Sequence, residues 1–208
     1  MDRNLTHELV SYQVDNLFFI NETEKELLDL YYPDTEQRVR TCFAASTNKY
    51  YHHNGKVRFS PYHSGQWCIF LYFLANSIFR KERREAARTL CDKLYFLNKA
   101  MNGLDLYYEV EMPDIFFLDH PVGTVMGRAK YSNHFSFGQN CTVGNNKGIF
   151  PEIGERVNMM SGSKILGKSR IGNNVIIAAN AYIKDQDVPS HTIVFGASPD
   201  LTFKANTL

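Results

Sequence analysis

Apolar residues recur along this chain with two different periods, and the change falls near residue 103. Before it the spacing is helical. Trp67, Phe70, Leu71 and Leu74 lie three or four apart within 63–79 and make one apolar stripe. Leu90, Leu94, Leu97 and Met101 do the same within 86–101. Shorter helices are expected at 23–30 and 36–45, the first opened by Thr23 and Glu26 at capping-box spacing. Within 50–60, Asn54-Gly55 is a turn signal that joins two short strands. Gly103 punctuates the boundary.

From Leu106 the period becomes six. Leu106, Met112 and Leu118 set the count, and Val125, Tyr131, Phe137 and Val143 resume it after one extra residue. After an interruption at 144–152, Ile153, Met159, Ile165, Ile171, Ile177 and Ile183 hold it without a slip. Neither a helix of 3.6 residues per turn nor a two-residue strand alternation gives this spacing. It predicts a β-helix in which each hexapeptide supplies a short strand and a corner. The aliphatic anchors point inward, and stacked coils bury a column that no single repeat can bury alone. Small residues after several anchors (Gly154, Gly172, Ala178) let the backbone turn. The expected organisation is a helical domain over 1–103, a β-helix domain over 104–195 and a tail over 196–208: an α+β chain.

Charge and composition narrow the function classes. A net charge of +1 speaks against a nucleic-acid partner, which calls for a basic excess. The cluster Arg80, Lys81, Arg83 and Arg84 is broken by Glu82 within a helical pattern and reads as a solvated face. No segment reaches the ~20 apolar residues of a membrane span, and the amino terminus has no signal-peptide core. Cys42, Cys68, Cys91 and Cys141 lack CxxC spacing, so free thiols in a reducing cytoplasm are expected.

The segment Leu118-Asp119-His120-Pro121-Val122-Gly123-Thr124-Val125-Met126-Gly127 resembles the LDHATGIVVG segment of bacterial serine acetyltransferases. The similarity continues through Gln139 to Gly144, Ser163 to Gly167 and Val188 to Thr192, with Leu104-Asp105-Leu106 standing where that family has VDI. It covers about 104–200 and is faint over the helical half. The resemblance implies a left-handed parallel β-helix, acetyl-CoA as co-substrate with no metal, and a homotrimer or a dimer of trimers.

It also implies roles. Acetyl transfer to a hydroxyl needs a base, because a neutral alcohol is a poor nucleophile, and imidazole suits the task. His120 stands at the family's base position, and Asp105 matches the carboxylate that orients the ring. Asp119 binds the acceptor or caps a turn. Gly144-Asn145 stands where the family has Gly-Gly, so their backbone amides are candidates for holding the oxyanion. Ser161, Ala178 and Ala179 match the wall along which pantetheine lies, and Lys164 and Lys184 are candidates for the CoA phosphates. His63, in Pro61-Tyr62-His63-Ser64, resembles a Phe-His element before the family's long helix.

One departure bears on the acceptor. Where the family carries Arg-His-Pro after its Gly-Gly, this chain has Ile149-Phe150-Pro151, and the charge that pairs with an amino-acid carboxylate is gone. From this the expected acceptor is a hydroxyl of a saccharide or polysaccharide precursor, with Phe150, Tyr131 and Phe135 available to stack on a sugar or simply to pack. Serine O-acetylation for cysteine biosynthesis is the alternative. A zinc-dependent hydratase would need His120, His134 and His191 to converge, and a non-catalytic scaffold would need only the coil.

Overall fold

A computed structural model describes residues 3–207. The chain divides into two compact units, one ending at Asn102 and the other beginning at Gly103.

The first unit holds four helices, α1 (Arg3–Phe18), α2 (Glu22–Ala44), α3 (Ser64–Lys81) and α4 (Glu85–Asn102). Every residue of α3 from Gly65 to Ile78 is buried, so polar groups within it must find protein partners. The Arg38 guanidinium supplies them, donating to Asn76 Oδ1 at 2.9 Å and to Ser77 Oγ at 2.7 Å. The two short helices expected at 23–30 and 36–45 are one. α2 runs straight through Pro33, where a proline costs about 3 kcal/mol. The buried residues Leu27, Leu28, Tyr32, Val39, Cys42 and Phe43 span the proline, and their packing outweighs the lost hydrogen bond. The capping box also lies two residues earlier than Thr23–Glu26. Asn21 accepts from the Glu24 N–H, and the Glu24 carboxylate accepts from the Asn21 N–H. That carboxylate is buried and pairs with Lys93 of α4 at 2.6 Å. Between α2 and α3, strands β1 (His52–His53) and β2 (Lys56–Val57) pair antiparallel across Asn54-Gly55, both in the left-handed region.

The second unit is a left-handed parallel β-helix. Its strands are β3 (Leu104–Leu106), β4 (Phe116–Leu118), β5 (Thr124–Met126), β6 (Phe135–Phe137), β7 (Thr142–Gly144) and β8 (Glu152–Ile153). There follow β9 (Asn158–Met159), β10 (Lys164–Leu166), β11 (Arg170–Ile171), β12 (Ile176–Ile177) and β13 (Tyr182–Lys184). Each pairs in parallel with strands one coil away, and three interior columns result. Leu106, Met126, Val143, Ile165 and Ile183 stack in register on the first face. Ile153, Ile171 and Val188 stack on the second, and Leu118, Phe137, Met159, Ile177 and Val194 on the third. Residues 200–205, read from the sequence as tail, form β15 (Asp200–Ala205), which pairs antiparallel with β14 (Thr192–Ala197).

One anchor differs from expectation. Val125 is 42% exposed, and Met126 is 1% exposed and stacks between Leu106 and Val143. The step from Leu118 to Met126 is therefore eight residues, two more than a regular rung, where the sequence suggested one. In a strand the faces alternate, so a one-residue miscount exchanges inside and outside. The extra pair sits in the corner ahead of β5. Among the described residues, no helix is long and apolar enough to cross a membrane, and all four cysteines are buried free thiols.

This register has a direct consequence for stability. Met126→Ala should destabilise the protein by about 2–5 kcal/mol, and Val125→Ala by no more than about 1 kcal/mol. Urea unfolding of the two variants measures the difference, and equal losses would mean the register is wrong.

Candidate active site

The extra pair is His120-Pro121. Leu118 is in register with Phe137, the Asp119 N–H donates to Phe137 O, and Asn140 N–H donates to Val122 O. Asp119 thus lies level with Gly138 and Val122 with Gln139, leaving His120 and Pro121 without counterparts in the neighbouring coil. The corresponding steps from Phe137 to Val143, Met159 to Ile165 and Ile177 to Ile183 are six residues each. Two surplus residues in a coil whose strands are held by register have nowhere to go but outward. His120 accordingly stands exposed with φ 51°. Its ring makes no hydrogen bond or ion pair among the described residues.

Below the bulge the corner is packed without slack. Gly123 has φ +73°, and a Cβ there would lie 2.3 Å from Asn140 Oδ1. The same relation recurs one coil pair further on, where a Cβ at Gly162 would lie 2.3 Å from Asn180 Oδ1. Glycine and asparagine alternate down this corner because both tolerate left-handed φ and the amide fills the place of the missing side chain.

Several of the residues singled out from the sequence share this edge. Gly138 N–H donates to Met159 O and Met160 N–H to Ile177 O, which sets Asp119, Gly138, Met160 and Ala178 in one row. Gly162 N–H donates to Gln139 O and Asn180 N–H to Ser161 O, which sets Gln139, Ser161 and Ala179 in the next. His120 and Asp119 thus head a strip that runs past Gln139 and the exposed Met160 and in which Gly138, Ser161, Ala178 and Ala179 are small. Asp105 is half-buried in the middle of β3, level with Val125, and shares no hydrogen bond with His120.

The second irregularity follows Val143. The step to Ile153 is ten residues, and the surplus forms a small hairpin bridged between Asn146 and Ile149. The Asn145 side chain accepts from the Gly148 N–H, and the Asn145 backbone N–H is donated to no group among the described residues. Ile149 and Phe150 are 47% and 43% exposed on this hairpin. Its base is tied to Asp185 two coils on, which accepts from Asn146 and from the Lys168 N–H of the coil between. The Lys168 N–H is the main cause holding the Asp185 carboxyl below the usual carboxylate range, against its desolvation. Asn146, Lys184 and Lys147 add to the effect.

The remaining candidates are placed apart. The Lys164 ammonium folds back to Gly162 O at 2.9 Å. Lys184 lines a cleft of about 370 Å³ with Tyr182, Asp185, Gln186, Ser198 and Pro199. His63 is the N-cap of α3 in the helical unit, where Nδ1 accepts from the Gln66 N–H. His134 and His191 lie on a different corner from His120, in a left-handed column with Arg156 and Asn174. Among the described residues no group of three or more His, Cys, Asp or Glu side chains is placed to hold a metal ion.

Residues 150–185 match the bacterial transferase hexapeptide (six repeats) family. A serine acetyltransferase of Staphylococcus epidermidis is 28% identical over 150 residues, covering 64% of this chain and 63% of the relative. The serine acetyltransferase of Neisseria gonorrhoeae superposes with a TM-score of 0.77 at 21% identity, over 99% of this chain and 79% of that one. The same enzyme in complex with serine gives 0.71 at 22% identity, over 95% and 82%. A Brucella abortus serine acetyltransferase in complex with coenzyme A gives 0.74 at 19% identity, over 99% and 82%. This is a hexapeptide-repeat chain built like the serine acetyltransferases. It spans about 63% of the length of the staphylococcal relative.

These relatives overturn the saccharide acceptor expected from the sequence: the curated ones are named serine acetyltransferases, and none of those described here is named for a polysaccharide. The inference rested on one missing charge at Ile149-Phe150. A small amino acid meets several groups at once, so losing one contact does not reassign the acceptor.

The Gly123–Asn140 contact gives a test of the corner. Gly123→Ala should cost about 1–3 kcal/mol through left-handed strain and the clash. Adding Asn140→Ala should recover part of that loss, because it removes the clash and leaves the strain. A strictly additive pair in urea unfolding would show that the two residues do not touch.

Proposed function

We propose that this chain is a serine O-acetyltransferase that uses acetyl-CoA, with His120 as general base. The observation that carries the reading is the outward bulge of an exposed histidine at the head of a strip in which Gly138, Ser161, Ala178 and Ala179 are small. Such a strip admits an extended acyl carrier close to backbone, and the bulge brings an imidazole to its end.

In this reading serine presents its hydroxyl to His120, which takes the proton as the oxygen attacks the thioester carbon. The carbonyl electrons move onto oxygen, and the Asn145 N–H holds the charge. When the intermediate collapses, the C–S bond breaks and the imidazolium returns the proton to the departing thiolate. O-acetylserine and CoA result. Asp105 orients the ring and Asp119 receives the serine ammonium. Pantetheine lies along Ser161, Ala178 and Ala179, and Lys164 and Lys184 face the phosphates. Phe150 and Ile149 form an apolar wall beside the acceptor.

The exposed strip offers only one side of a groove, so a neighbouring copy closes it, in a homotrimer or a dimer of trimers. Four buried free thiols accord with a reducing, cytoplasmic setting.

His120→Ala should lower turnover with serine and acetyl-CoA by at least about a hundredfold, the usual range for a missing general base. Thiol release and mass analysis of the product measure it. A near-native rate in this variant would move the base elsewhere.

A further inference from the structure

We propose that Thr124 is a positioning residue for His120 and that it acts through the corner of the neighbouring coil; the proposal rests on His120 being the base. Thr124 is wholly buried, at a place where the coil otherwise packs small or apolar side chains such as Cys141 and Ala181. A buried hydroxyl must be satisfied, and the way this one is satisfied is unusual.

Three corners along this edge close with a direct backbone bond. Thr124 N–H donates to Pro121 O at 3.2 Å, Ser163 N–H to Met160 O at 3.1 Å, and Ala181 N–H to Ala178 O at 3.0 Å. The corner directly beneath the histidine bulge differs. There the corresponding groups, Cys141 N–H and Gly138 O, do not meet each other. Thr124 Oγ1 stands between them, accepting from Cys141 N at 3.2 Å and donating to Gly138 O at 2.9 Å. The hydroxyl is inserted into the turn of the next coil.

This matters because the backbone ladder is interrupted at the same point. Pro121 has no N–H, and His120 is turned into the left-handed region. Asp119 N–H bonds to Phe137 O on one side of the gap, and Val122 O accepts from Asn140 N–H on the other. The Thr124 hydroxyl fastens the far end of the bulge to Gly138 and Cys141, beneath the gap. Valine has nearly the same shape and can neither donate nor accept. In Thr124→Val the Gly138–Cys141 turn either closes on itself, as its neighbours do, or keeps two unpaired groups. In both cases the bulge loses its two-way tie.

A base displaced slightly loses rate rather than affinity for the donor. With serine and acetyl-CoA, Thr124→Val should lower kcat by about tenfold or more and leave the KM for acetyl-CoA within about twofold. Thr124→Ser keeps the hydroxyl and should restore kcat to within about threefold of native. Hydrogen exchange across residues 119–124 should rise in Thr124→Val and stay native in Thr124→Ser. Native kcat with native exchange in Thr124→Val would overturn the proposal, as would a Thr124→Ser enzyme as slow as Thr124→Val. If the native chain transfers no acetyl to serine, the proposed activity fails on its own, and the exchange measurement still decides whether Thr124 holds the corner.

Discussion

The second unit depends on the interior register, in which the anchors of each coil stand directly over those of the next. A parallel ladder fixes strands against slippage only when the inward column is also matched, because a one-residue slip turns every anchor out. Ile165 over Ile183, eighteen residues apart, is the regular step. Surplus residues therefore cannot be absorbed within a strand. They emerge at corners, and this coil has two conspicuous places where they do: the pair His120-Pro121 and the hairpin after Val143. Both departures from the period carry the chemistry-bearing groups. The first carries the exposed imidazole, the second the undonated Asn145 N–H and the apolar pair Ile149-Phe150. A strictly periodic coil would present only repeated, satisfied backbone at its corners. The exposed imidazole and the undonated N–H stand out because the count is broken there.

The corners need their own solution, since each must reverse the chain within a few residues. Left-handed φ is used throughout, at His120, Asn140, Asn174 and Asn180 among others. On the corner below His120 the space is shared between glycine and asparagine, with Gly123 facing Asn140 and Gly162 facing Asn180. The same crowding explains why Thr124 can act on the next coil at all. Its hydroxyl needs no reach, because the corner below lies within hydrogen-bond distance.

How far the sequence could be read follows from this. The run Ile153 to Ile183 is legible because the six-residue count holds without a slip and five of its six anchors are isoleucine. Val125 was misassigned because valine looks a better anchor than Met126, and only the stacking of Met126 between Leu106 and Val143 decides between them. In the helical unit Pro33 falls between the two short helices expected at 23–30 and 36–45, and nothing local reveals that residues on both sides pack into one core. α1 left little trace because few of its described side chains are fully buried, Val10 and Val14 being the core hydrophobics among them. His120 was found through resemblance. The shape of its corner was hidden in a gap of eight between anchors, which the wrong anchor disguised as seven. Thr124 gave no signal, since a threonine in a strand is unremarkable until its neighbours one coil away are known.

The acceptor shows the limit of reasoning from a single substitution. Ile149-Phe150 removes a charge from the sequence, and a saccharide was inferred from that loss. Yet the hairpin that bears the pair is held at its base by Asn146 and Asp185, while Ile149 and Phe150 are exposed. In the proposed site a residue there adjusts a wall of the acceptor space and does not define it. In the proposed site, recognition of serine is shared among several groups, Asp119 beside His120 among them. The loss of one partner weakens binding by an amount the others can offset, whereas the loss of the base would end the chemistry. Identity of the reaction is therefore better argued from the corner that projects His120 than from the hairpin beside it.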